Sequence, residues 1–134
     1  MTVPLIIDGD AEQIVIDYLA ANLPALGYSG SVSTKVPTPR PVESVIAYRT
    51  GGPRRDLVTD RPQMTFECRA GTESRAFQIA SQVRALLNNL DGNGFVLDGH
   101  AIYEFQEMAG PYNDFDAVGS QPRYSQTGWI SIRS

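Results

Sequence analysis

The stretch Arg61-Pro-Gln-Met-Thr-Phe-Glu-Cys-Arg-Ala70 runs almost unbroken into Glu73–Leu90. In its first part Met64, Phe66 and Cys68 alternate with Thr65, Glu67 and Arg69, the period of two that a strand with one buried face requires. Pro62 stands at the start of that strand, where a missing amide donor is tolerated. In the second part Ala76, Ala80, Val83, Leu87 and Leu90 recur at helical spacing, and Phe77, Ile79 and Leu86 widen the stripe. Thr72 is placed to cap this helix, and Glu73 suits its dipole. Asn88-Asn89 and Asp91-Gly-Asn-Gly94 end it. Small Ala76 and Ala80 let such a helix lie close on a sheet, so the pair reads as helix on sheet.

Upstream, Ala11–Asn22 is a second amphipathic helix, with Ile14, Val15, Tyr18, Leu19 and Leu23 on its apolar face. Asp10 is its N-cap, and Gln13 is spaced to reach back as in a capping box. Pro24 stops it. Leu26-Gly27-Tyr28-Ser29-Gly30 is a turn into a strand, Ser31–Val36. Pro37, Pro39 and Pro41 then remove three donors, which keeps this segment out of a sheet interior and makes it a stiff surface connection. Ser44–Thr50 is a further strand, ended by Gly51-Gly52-Pro53, and Arg54–Arg61 reads as a polar loop.

Downstream come strand Phe95–Leu97, a turn at Asp98-Gly99 and strand Ala101–Met108, in which Ile102, Glu104, Gln106 and Met108 alternate with Tyr103, Phe105 and Glu107. Ala109–Asp116 reads as a long loop, aromatic and acidic, suited to contact. A last strand, Arg123–Arg133, carries Trp129, Ile130 and Ile132. The order α-β-β-β-α-β-β-β argues for one α+β domain over residues 1–134, a mainly antiparallel sheet with two helices packed on one face.

A chain of 134 residues, 42% hydrophobic and 19% charged, can build one core without disulfides or metals. Its single cysteine, Cys68, lies in an apolar strand row and reads as a buried structural thiol. Nothing approaches the roughly 20 apolar residues that span a bilayer. Met1–Asp8 lacks the basic region of a signal peptide, so the expected setting is a cytoplasm. The net charge of −4 hides a segregation: residues 35–61 hold Lys35, Arg40, Arg49, Arg54, Arg55 and Arg61 against Glu43, Asp56 and Asp60, whereas residues 91–118 hold six acids and no Lys or Arg. Two solvated loops of opposite sign would give this pattern. So would head-to-tail self-association, a basic patch on one copy meeting an acidic patch on the next.

The residues offer little catalytic chemistry. One histidine, His100, and one cysteine fall short of a zinc ligand set. No Gly-x-Ser-x-Gly turn accompanies His100, and Gly51-Gly52 lacks the Lys-Ser/Thr of a phosphate loop. Asp114 and Asp116 start like a calcium loop but lack its later ligands, and read as an acidic surface. The acidic balance speaks against sequence-specific DNA binding by Arg49–Arg61. The expectation is no enzyme, no cofactor and no metal.

Several words, in order, carry a family resemblance: Ile14-Val-Ile-Asp-Tyr-Leu19, Val36-Pro-Thr-Pro-Arg-Pro41, Tyr48-Arg-Thr-Gly-Gly52, Asp60-Arg-Pro62 with its strand, and the Ala76–Leu90 helix. Together they cover about two thirds of the chain and resemble the tail terminator (tail-completion) proteins of long, non-contractile-tailed phages of the actinophage-like branch. Pro122-Arg123-Tyr124 before a closing strand fits them too. The resemblance implies a structural virion protein: a ring, usually a hexamer, that caps the tail tube, ends its growth and docks on the head connector or head-closure protein. DNA would pass through its lumen without specific binding, and the acids of Asp91–Asp116 would suit that lumen. The implied place is the virion, at the tail end or neck, after assembly in the host cytoplasm, with no membrane involved. Arg40, Arg49, Arg54, Arg55, Arg61, Tyr112, Asp114, Phe115 and Asp116 are the candidate contacts between subunits or with partners. Another phage neck component, a head-closure or head–tail joining protein, is the nearest alternative. A small-ligand-binding or enzymatic α+β domain is the alternative from a different class, marked by a pocket with convergent polar groups.

Overall fold

The computed structural model describes residues 5–134; the reading of Met1–Pro4 lies outside them. Helix α1 is Ala11–Asn22, as expected, and Asp10 caps it by accepting from the Gln13 amide at 3.1 Å. The Gln13 side chain does not close a capping box: it donates to Asp17, one turn on, at 2.7 Å. Pro24 does not end helical structure at once, because it is compatible with the first turn of a short 3₁₀ helix, Leu23–Leu26. Gly27, at φ 96°, then reverses the chain. Helix α2 is Glu73–Asn88, capped by Thr72 through the Arg75 amide at 3.2 Å.

Among the described residues, eight strands follow the order β1 (Ser31–Ser33), β2 (Ser44–Arg49), β3 (Arg54–Asp56), β4 (Thr59–Asp60), β5 (Gln63–Arg69), β6 (Val96–Leu97), β7 (His100–Asn113) and β8 (Arg123–Arg133). The result is α+β, with the sheet dominant and mixed only through the parallel β1–β2 pair. β8 is the spine. β7 flanks it on one side; on the other, β5 pairs with its first half and β4 with its end. β2 and β1 extend the sheet beyond β5, and β3 extends it beyond β4.

Met64, Phe66 and Cys68 are all fully buried, and they share one core with Ile14, Val15 and Leu19 of α1 and Ala76, Ile79, Ala80, Val83 and Leu87 of α2. The strand that decided the fold is therefore oriented as its alternation requires. Phe77, read as part of the helix stripe, is half exposed instead. It sits on the flank of α2, edge-on to Tyr124 at 5.4 Å between centroids.

Three departures have local causes. Arg54–Asp60 is a β-hairpin, not a loop, because β4 finds a partner in the end of β8. The Gly51-Gly52 turn that precedes it needs glycine: both residues have positive φ, and a Cβ on Gly52 would lie 2.3 Å from the Arg61 carbonyl. Strand Ala101–Met108 continues to Asn113, so Ala109–Asn113 is not loop. It pairs with β8 through bulges, and Pro111 fits because, among the described residues, β7 has no strand partner on its other side there. A further bulge between Ile102 and Glu104 breaks the expected alternation and lets Ile102 and Phe105 both enter the core. β1 is shorter than Ser31–Val36, ending before the proline segment.

Candidate subunit interface

The acidic residues after β7 are engaged within the chain, where they lock the connection between β7 and β8. Arg69, on the sheet face opposite Met64 and Phe66, is 6% exposed and joins two carboxylates, Asp116 at 2.6 Å and Glu67 at 2.9 Å. Asp116 also accepts from the Gly119 amide at 3.0 Å, and its backbone exchanges both hydrogen bonds with Gln121. The Arg69 hydrogen bond, followed by that amide, holds the Asp116 carboxyl down at about 2. Asp114 accepts from Ser125 at 2.9 Å and lies 3.2 Å from Arg123. Tyr48 donates to Glu67 at 2.9 Å, and burial, with that carboxylate, pushes its phenol up to about 12. Arg40 donates to the Gly119 carbonyl and Gln121 to that of Val42, tying the proline segment to this loop.

The candidate arginines are likewise engaged within the chain. Arg49 grips Asp60 with two bonds, at 2.6 and 2.9 Å, a bidentate geometry with fixed orientation. Arg54 donates to Asp8 at 2.9 Å. Arg55 and Arg61 each lie 3.8 Å from Glu104. Arg61 also donates to Gln106 and stacks over Trp129, 4.9 Å from the ring centre. Charges segregated along the sequence thus meet in space: Arg55 and Arg61 of the basic stretch face Glu104 of the acidic one.

Apolar side chains also face outward at both ends of β8. Tyr112 and Phe115 are half exposed, and Val42 and Val118, beside the locked loop, are 73% and 100% exposed. At the opposite end of β8, Leu5, Ile7 and Leu57 are 89%, 81% and 66% exposed. There Leu5, Ile6, Ile7, Val58, Arg133 and Ser134 line a groove of about 370 Å³. Of the candidate residues, the fold places Arg54 and Arg55 at this end and Arg40, Tyr112, Asp114, Phe115 and Asp116 at the other, with Arg49 and Arg61 between. Sequence reasoning passed over Val42, Leu57 and Val118. Single apolar residues in polar loops have no periodicity to reveal them; their only signal is that company.

A larger concavity, about 540 Å³, lies along α2 between Thr72, Ser74, Arg75, Phe77, Gln78 and Ser81. Its one ionisable lining residue, Arg75, is held by Glu43 at 2.6 Å, so nothing there is poised for acid–base work. The His100 ring rests on the Gly9 backbone, and its Nδ1 lies 2.8 Å from the Arg133 carbonyl oxygen. Cys68 is fully buried and its thiol is pushed up by desolvation, away from the thiolate a nucleophile needs.

No protein-family model matches the chain, and no curated protein matches it in sequence. Among solved structures it is similar to a chain from the virion of the native gene transfer agent (GTA) particle, with a TM-score of 0.66. The likeness covers 92% of this chain and 95% of that one at 15% identity, which establishes a shared fold.

Proposed function

We propose that this chain is a structural subunit of a phage-type virion, and within it the tail terminator: a ring, hexameric by the resemblance, that caps the tail tube and joins it to the head connector. The observation that carries the reading is the end-to-end likeness to a chain of a virion particle, reached independently of the sequence words that resemble tail terminators. The surfaces agree with it. Ion pairs and backbone bonds hold the β7–β8 connection and the proline segment in fixed positions, which suits a subunit that presents preformed contacts. Contacts between subunits would join the end that carries Arg54 and Arg55 to the end that carries Tyr112 and Phe115. DNA would pass through the lumen unbound.

Purified tail tubes, free of heads, test the assignment. Mixed with the chain and imaged in negative stain, they should carry a collar at one end. Binding to heads or connectors but never to bare tubes would instead identify a head-closure or head–tail joining protein. Binding to neither would remove the virion reading.

A further inference from the structure

Four of the five asparagines are followed by a backbone amide that the fold has already engaged. The Leu23 amide after Asn22 donates to the Leu19 carbonyl. After Asn88 and Asn89, the Asn89 and Leu90 amides donate to the Ala85 and Leu87 carbonyls at 3.1 and 3.0 Å. After Asn113, the Asp114 amide donates to Arg123 at 2.8 Å. Asn93 is the exception. Among the described residues the Gly94 amide donates to no backbone carbonyl, and no atom lies within 4 Å of where a Cβ on Gly94 would stand. The turn Asp91–Gly94 is exposed throughout, so water and hydroxide reach it. The Asn93 side chain folds back on the end of α2, its Nδ2 donating to the Asn89 carbonyl at 2.7 Å and lying 3.4 Å from Asn89 Oδ1. Both contacts are exposed, and water can replace them at little cost.

We propose that Asn93–Gly94 is a site of spontaneous backbone modification in the folded protein. Hydroxide removes the Gly94 amide proton, and the nitrogen, unhindered by any side chain of its own, attacks Cγ of Asn93. The N–Cγ bond forms, the Cγ–Nδ2 bond breaks, and ammonia leaves after taking a proton from water, which returns the hydroxide. The product is a cyclic succinimide. A second water then opens the ring. Cleavage of the N–Cγ bond gives aspartate; cleavage between that nitrogen and the main-chain carbonyl carbon of residue 93 gives isoaspartate, with the chain rerouted through the side chain. Either product puts a carboxylate where an amide donor stood, at the carbonyl end of α2, where negative charge is unfavourable. The next residue but one, Phe95, packs edge-on to Tyr18 at 5.9 Å, and its carbonyl accepts from the Ile102 amide at 2.8 Å. Modification therefore loosens the corner that joins α2 to β6 and β7. This goes beyond the virion reading and does not depend on it.

The test is peptide mapping by mass spectrometry of the full chain, incubated at neutral and mildly alkaline pH, both folded and in unfolding urea. Folding should slow deamidation at Asn22, Asn88, Asn89 and Asn113 by about a hundredfold or more, because each first needs local unfolding to free the amide that attacks. It should slow Asn93 by less than about tenfold, since only an exposed side-chain bond has to open. The folded rate at Asn93 should rise with pH, and its product should contain isoaspartate beside aspartate. Protection of Asn93 equal to that of the other four, or a product that is aspartate alone, overturns the site. Asn93→Asp should have a lower urea midpoint than Asn93→Ala, which loses the same donor without adding a charge. Equal midpoints overturn the loosening of the corner.

Discussion

A methyl group added at Gly128 would lie 2.5 Å from the Phe105 ring and 2.9 Å from the Gln106 carbonyl. Phe105 folds across the bare backbone of β8, covering a position that has no side chain of its own. Since a backbone carbonyl stands beside the ring, the clash cannot be relieved by moving Phe105 alone. Gly128→Ala should therefore destabilise by about 1–3 kcal/mol, read from the urea midpoint. Phe66, fully buried on the neighbouring strand, should cost about 3–5 kcal/mol on truncation to alanine; an unchanged midpoint would mean that the ring does not fill the core. Phe66 was legible because its neighbours alternate. Phe105 was legible as apolar but not as core, because a bulge, which no residue pattern announces, changes the phase of β7. Tyr28 was hidden similarly. It reads as a turn residue, yet it is almost fully buried, with its hydroxyl donating to the Ser31 carbonyl and its titration pushed up by desolvation.

At the scale of elements, both helices were legible to within two residues, since a cap and a 3.6-residue period mark each start. Thr72→Ala should lower stability by about 1 kcal/mol through the lost bond to the Arg75 amide. The hairpin β3–β4 was not legible, because residues so short and polar become strand only once β8 lies alongside. The β7–β8 connection was half legible: its acids stood out, their partners did not, since Arg69 and Asp116 are far apart in sequence. Its response to acid follows from the depressed Asp116 carboxyl. A folded value of about 2, against an ordinary 3.8, contributes stability that is present above 3.8 and lost as pH falls through 2. Amide exchange at Gly119 and Gln121 should consequently accelerate between pH 4 and 2, after correction for intrinsic rates. Asp116→Asn should show faster exchange already at neutral pH and less further change in acid.

For the molecule as a whole, one strand decides integrity. Thr127 in the middle of β8 is paired with Thr65 on one side and Ala109 on the other. A proline there removes a donor inside a doubly flanked strand, and Thr127→Pro should abolish the cooperative thermal transition. Pro111 stands natively on β7, whose outer side pairs with no strand at that point among the described residues, so position and not residue type sets the penalty. The same strand also fixes an order of events during synthesis. β8 leaves the ribosome after β2, β4, β5 and β7 have all been made. Until then β5 has an open edge, and the apolar row of Met64, Phe66 and Cys68 lacks the neighbour that completes its layer. A nascent chain halted before Arg123 should therefore be a client for chaperones. The two ends of the sheet come into fixed relation only when this strand is laid down, so the fold closes late, on the strand that follows all its partners in the chain.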